Sequence, residues 1–318
     1  MKLVYKLLLC VLFGCSVSEN TYDDKLEIQR FDVVVAQVPV DSVVAFMKPA
    51  VLALKAIYQD STLTSEQVVD KYKNSQAFNV FGPDVVVRLQ DISEQERLIS
   101  KAFENIIKVL PQVVLPKYVY GYVTPYMQSV VAVDSVMLIG LNHYLGEDYP
   151  GYDNFSEYSR RLKEKSRMTY DVAEAIIYLS YPYVNSDNHT LVSRMLYEGA
   201  VICVLESVLP DSTEAELLGM TSDQYDWILS NEALIWKSLA EKRLLHSTDP
   251  IVISKLISPA PNSAIVHVEA PGRVGRFIGY KIVKSYLKRH GKAQLSDILS
   301  PRFYNSQNTL IEAEYSPN

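Results

Sequence analysis

The sequence predicts an α+β fold, a helix-rich single domain with a small antiparallel or mixed sheet in its N-terminal half. Three observations point there. Capping-box pairs (Thr64/Gln67, Ser93/Glu96, Thr221/Gln224) open helical segments. One early stretch, from Lys117 to Leu141, is β-branched and aromatic with turn residues between its runs. From about residue 155 onward helical periodicity takes over. At 318 residues and 48% hydrophobic content the chain can bury a large core. No stretch is rich enough in Pro, Gly or Ser to separate domains, and no internal repeat occurs.

The chain opens with Lys2 and Lys6 ahead of "LLLCVLFG", a run too short to span a bilayer that reads as a signal peptide over residues 1–14. The following "LFGC" fits a bacterial lipobox at Leu12 and Gly14, with Phe13 bulkier than usual, and makes Cys15 the expected lipid acceptor. Residues 15–25 are polar and acidic and read as the lipid anchor and its linker, leaving 26–318 as the folded domain. "KLEIQRFD" alternates like an edge strand. In "DSVVAFMKPAVLALKAIYQD", Pro49 predicts two short helices or a kink. "EQERLISKAFENIIKVL" is amphipathic, and two or three antiparallel strands follow over 117–141. Next come the helix "MTYDVAEAIIYLS", a loop at "YPYVNSDNHT", and a long apolar helix from about Thr190 to Leu209. Thr221 and Gln224 open a predicted helix of about six turns, "SDQYDWILSNEALIWKSLAEKRLL". Asp249-Pro250 opens a short one. "GRVGRFIGYKIVKSYLKRH" carries Gly275 and Gly279 one turn apart, which suits close helix packing.

The residues exclude several chemistries. The five histidines, His143, His189, His246, His267 and His290, are isolated, and no HExxH, HxH or CxxC pattern occurs. There is no G-x-S-x-G elbow, and "GRVGRFIG" lacks the Lys-Ser/Thr ending of a phosphate loop. A net charge of −6 with no basic stripe argues against nucleic acid. Cys203 is the only cysteine beyond Cys15 and reads as a small buried hydrophobe. No cofactor is expected.

One carboxylate needs explaining. Glu198 sits in "MLYEGAVICVLESVLPD", a segment apolar nearly all round, where a lone charge must be paired. Arg194 stands one turn earlier. Glu232 falls on one helical stripe with Tyr225, Leu229 and Trp236, and Arg273 stands at the entry to the last long helix. These residues predict a structural polar cluster of Arg194, Glu198, Glu232 and Arg273. In it Arg273, with or without Arg194, pairs one or both carboxylates and fixes how three helices dock.

Five blocks taken together carry a family resemblance: "RFD" at 30–32, "IGLNHYLGEDYPGY" at 139–152, "MLYEGAVICVLESVLPD", "WILSNEALIWKSLAEKRLLHSTDP" and "PGRVGRFIGYKIVKSYLKRH". Their order and spacing resemble the GldB-like gliding-motility lipoproteins. That family is in turn distantly similar to gluzincin-type zinc proteases, in which an HExxH helix precedes a helix with a Glu-Gly step. Glu198-Gly199 would match that step, whereas "TYDVAEAIIYLS", where HExxH should stand, has no histidine. The resemblance thus implies a degenerate zincin-like fold without metal or catalytic residues. It implies a non-catalytic, periplasm-facing membrane lipoprotein of the cell envelope, in the inner or outer membrane. Such a protein would support gliding motility or associated protein export through envelope protein partners. The alternatives are a lipoprotein zinc metallopeptidase with an atypical site and a periplasmic binding module.

Overall fold

A computed structural model describes residues 25–185, 189–291 and 293–317. The expected signal peptide and the lipid acceptor Cys15 lie outside these residues. β1 (Gln29–Arg30) leads into α1 (Phe31–Gln37), α2 (Val40–Phe46), α3 (Lys48–Tyr58), α4 (Ser65–Lys73), α5 (Gln76–Arg88) and α6 (Ser93–Val109). Three strands follow, β2 (Tyr118–Tyr122), β3 (Val130–Val133) and β4 (Val136–Gly140). After α7 (Glu157–Arg160) come α8 (Arg167–Ser180) and α9 (Leu191–Val208). Four shorter helices, α10 (Glu214–Leu218), α11 (Ser222–Ser230), α12 (Glu232–Glu241) and α13 (Pro250–Ile257), precede α14 (Val274–Arg289). Then α15 (Leu295–Ile298), α16 (Pro301–Tyr304) and α17 (Gln307–Ala313) end the described chain. This is a helix-rich α+β fold with a small sheet in the N-terminal half. No helix among the described residues is long and apolar enough to cross a membrane.

The sheet runs β1-β2-β4-β3 and is mixed. β3 pairs antiparallel with β4, as the sequence predicts for this region, but β2 pairs parallel with β4, Tyr118 facing Val136 and Tyr122 facing Gly140. Burial explains the order. All five residues of β4, "VMLIG", are buried, so this strand takes a central place. β3 is only half-buried and goes to the edge, which sends the β2–β3 connection across to the far side of β4. In "KLEIQRFD" Leu26 and Ile28 are buried and Glu27 is exposed, yet only Gln29 and Arg30 pair, at the opposite edge. α1 begins at Phe31.

Several local signals act as expected, and two do not. Pro49 stands at the second position of α3, and the chain breaks at Met47 between α2 and α3. Capping boxes close at Thr64/Gln67 and Thr221/Gln224, and Asp249 caps α13. Ser93 does not cap α6: the cap is Ile92, and the Glu96 carboxylate reaches across to accept from the Ile28 N–H at 2.8 Å, tying the N-terminal strand to the helix. The six-turn helix expected after Thr221 is two helices. Asn231, at φ −115° and ψ 17°, separates the two, and its side-chain amide joins its own backbone N–H on the Trp227 carbonyl, at 2.8 and 3.1 Å. Leu229 is 43% exposed and leaves the expected inward stripe, while Tyr225 and Glu232 both face α14, at Phe277 and Lys281.

The core centres on α9. Fourteen of its eighteen residues are buried, and it touches α6, α8, α10, α13, α14, α15 and α16. Its closest neighbour is α14, and glycine makes that closeness possible. A Cβ on Gly199 would lie 2.2 Å from the Gly279 carbonyl carbon, and one on Gly279 would lie 1.8 Å from the Met195 carbonyl oxygen. The two backbones touch, which no larger residue permits. Gly275, one turn earlier, packs on α13 instead, where a Cβ would meet the Leu256 carbonyl oxygen at 2.9 Å.

Candidate functional site

The crossing of α8, α9 and α14 holds a buried arginine–carboxylate cluster. On α8, Arg167, Asp171, Glu174 and Tyr178 recur at helical spacing and share one face. α9 contributes Arg194 and Glu198, one turn apart, and α14 contributes Arg276.

Arg276 is the hub. Its side chain is 5% exposed, and its Nη2 donates to Glu174 Oε1 at 2.5 Å. Its Nε stands 3.3 Å from Glu198 Oε2 but is not aligned for a hydrogen bond, so that contact is Coulombic. Glu198, 2% exposed, is held further by Arg194 Nη2 at 2.7 Å and by the Tyr178 hydroxyl, which donates at 2.7 Å. The Arg194 guanidinium also lies over the Tyr183 and Tyr197 rings, at 4.8 and 5.4 Å. Asp171 accepts from the Tyr144 and Ser129 hydroxyls at 2.9 and 3.0 Å and pairs with Arg167 at 3.3 Å. Arg167 in turn stacks on the Tyr170 ring at 3.4 Å.

Charge balance sets the ionisation of these groups. Burial by itself would raise the Glu174 carboxyl, but Arg276, then Arg167 and Arg273, outweigh it and hold Glu174 below its ordinary value. Asp171 goes the other way: burial lifts it against the pull of Arg167. For Arg276, burial opposes the charged form, and the surrounding Tyr178, Glu174, Tyr170 and Glu198 more than offset it.

The structure brings together Arg194 and Glu198 but distributes the other two predicted members elsewhere. Arg273 forms no ion pair among the described residues and donates to the Leu218 carbonyl at 3.2 Å. The pairing expected of it falls to Arg276, one turn further on, because Arg273 precedes α14 in left-handed backbone and turns its side chain toward α10. Glu232 starts α12 and belongs to a separate site, accepting from the Tyr315 hydroxyl at 2.7 Å with Lys281 at 3.6 Å. Sequence reasoning missed Arg276, Glu174 and Tyr178. The available signal was an arginine between two glycines in "GRFIG" and a charged face on "TYDVAEAIIYLS".

A second buried pair lies near the sheet. The Lys163 ammonium donates to His143 Nδ1 at 2.8 Å, and the opposite ring nitrogen meets the Tyr126 carbonyl at 3.0 Å. This arrangement fixes the neutral Nε2–H tautomer. Burial and the Lys163 charge push His143 down to about 4, and burial pushes Lys163 down to about 8. Among the described residues no group of three or more His, Cys, Asp and Glu side chains is placed to hold a metal ion.

Comparison with known families bears directly on this architecture. Residues 16–317 match the family described as gliding motility protein GldB, nearly the whole chain. The chain belongs to the GldB family. No curated protein and no solved structure matches it. The further likeness to zinc proteases seen at Glu198-Gly199 therefore has no support from a solved fold. In this GldB-family chain the Glu-Gly step has two local causes: Glu198 holds the arginines, and Gly199 lets α14 cross.

Proposed function

We propose that this chain is a non-catalytic, lipid-anchored protein of the cell envelope that supports gliding motility, or the associated protein-export machinery, through protein contacts. In this reading the arginine–carboxylate cluster docks helices and performs no chemistry. The observation that carries it is the saturation of Glu198. A carboxylate that acts as base or metal ligand needs a lone pair facing its substrate. Both oxygens of this 2%-exposed group instead face Arg194, Arg276 and Tyr178. The gliding role is supported by the family, and the lipid anchor by the basic start, the apolar run and the "LFGC" ending at Cys15.

Two experiments in a gliding host test this. Cys15→Ala should abolish lipid labelling, release the protein from the membrane fraction and stop colony spreading. An unchanged, lipid-labelled membrane protein would remove the anchor from the proposal. Glu198→Gln keeps the shape of the buried group and one accepting oxygen, so spreading should follow the amount of folded protein. Normal abundance with no spreading would mean that the carboxylate does chemistry.

A further inference from the structure

Beside the cluster, the segment 147–167, the α10–α11 region and the turn before α14 enclose a cleft of about 320 Å³. This is the lower end of the range that takes small ligands. Arg161, Arg167 and Arg273 line it together with Glu147, Glu164 and Glu216. The formal charges of these six cancel, but their placement differs. Glu164 and Glu216 are exposed and Glu147 partly so, whereas the Arg167 side chain is 11% exposed and Arg273 is half-buried.

The three acids already have partners. Glu147 faces Arg161 at 3.6 Å, Glu164 accepts from the Glu147 N–H at 2.6 Å, and Glu216 accepts from the Thr213 N–H at 2.7 Å. Arg167 is committed to Asp171 and donates to the Glu216 carbonyl at 2.6 Å. Arg273 is different. A guanidinium carries five N–H donors, and among the described residues its hydrogen bonding is a single contact to the Leu218 carbonyl. Four guanidiniums, Arg167, Arg194, Arg273 and Arg276, surround three carboxylates, Asp171, Glu174 and Glu198, and Arg273 is the unmatched cation.

The backbone is shaped to hold it there. Arg273 has φ +65°, a conformation glycine normally supplies. Opposite, a Cβ on Gly219 would fall 2.2 Å from Arg273 Nη1, so the glycine makes the room the guanidinium occupies. Burial, with Arg276 and Arg167 nearby, lowers Arg273 to about 10, which leaves it charged at neutral pH and short of an anion.

We propose that the cleft binds the free C-terminal carboxylate of a short peptide, with Arg273 as its anchor. A guanidinium fork matches a carboxylate bidentately. The acidic rim disfavours a phosphate dianion and complements the N–H groups of a peptide chain. This goes beyond the docking role of the buried cluster and does not depend on it.

The test titrates the purified full chain with trialanine, trialanine amide and inorganic phosphate, read by calorimetry and by the thermal unfolding midpoint. Trialanine should bind and raise the midpoint, and its amide should bind roughly tenfold or more weakly, since a charge-assisted pair is lost. Arg273→Gly suits the left-handed backbone and should fold while losing the preference for the free acid. If it fails to fold, Arg273→Lys, which keeps the charge but not the fork, should show weakened trialanine binding. Equal binding of acid and amide, or tighter binding of phosphate than of trialanine, would overturn the proposal. So would affinity undiminished in the Arg273 variant, or no trialanine binding up to about 10 mM, the weak end of measurable affinity.

Discussion

Replacing Arg276 with Met removes the hub charge and keeps most of the apolar stem. Glu198 would retain Arg194 and Tyr178, but Glu174 would be left with the Tyr170 hydroxyl at 3.2 Å and the more distant fields of Arg167 and Arg273. Glu174 is 18% exposed and Glu198 2%, so neither recovers full hydration. Stranding one buried charge costs about 3–5 kcal/mol. Two carboxylates share this guanidinium and one keeps other partners, so the costs do not add and a loss of about 4–5 kcal/mol is expected. Arg194→Met is the control: its side chain is 30% exposed, and the loss should be roughly 1 kcal/mol. Urea unfolding at two pH values reads both. In the native chain Glu174 sits below its unfolded value of 4.5, so its contribution is present above that value and fades as pH falls through the folded one. Without Arg276, burial raises this carboxyl, the folded variant takes up a proton earlier, and its deficit shrinks as pH falls from about 7 to about 5. A deficit below about 1 kcal/mol near neutrality, or one that does not change with pH, would refute the hub role of Arg276.

Two further perturbations probe the packing and the second buried pair. Gly199→Ala and Gly279→Ala force a methyl group into opposing backbone and should each lose stability at or beyond the upper end of the usual 1–3 kcal/mol or so. Gly82→Ala in α5, whose new Cβ would find its nearest neighbour at 3.4 Å, should be neutral or gain up to about 1 kcal/mol; similar losses in all three would contradict the close crossing. His143 is held at about 4 against its ordinary 6.5, so the unfolded chain alone binds this proton in between, and stability falls by roughly 3 kcal/mol as pH drops across that window. Its ring resonances should show no titration above about pH 5, and a native midpoint near 6.5 would remove the effect.

The sequence announces what is local and periodic. Thr64, Thr221, Asp249 and Pro49 act within a few residues of themselves, so their helix starts are legible. Asn231 and Glu96 mislead because their side chains choose partners that a helical pattern does not reveal, the Trp227 carbonyl and the Ile28 N–H. The parallel pairing of β2 with β4 is hidden for the same reason: it depends on which strand is buried on all sides. In the cluster, the need to pair Glu198 is visible from its apolar surroundings, and its i, i+4 partner Arg194 follows from helix geometry. Choosing between Arg273 and Arg276 requires knowing where α14 begins, since one turn of helix separates an arginine facing the cleft from one facing the carboxylates.

The apolar circumference of α9 also has a consequence in time. α9 and α14 interlock through Gly199 and Gly279, yet α14 starts about 80 positions later in the chain, which at 5–20 residues per second is a delay of roughly 4–16 s in synthesis. Until α14 arrives, one side of this largely buried helix stands uncovered and Glu198 lacks Arg276. A chain cut before Val274 would expose the face of α9 that α14 covers and leave Glu198 with Arg194 and Tyr178 alone. The packing around α9 is therefore completed only when the last quarter of the chain has been made.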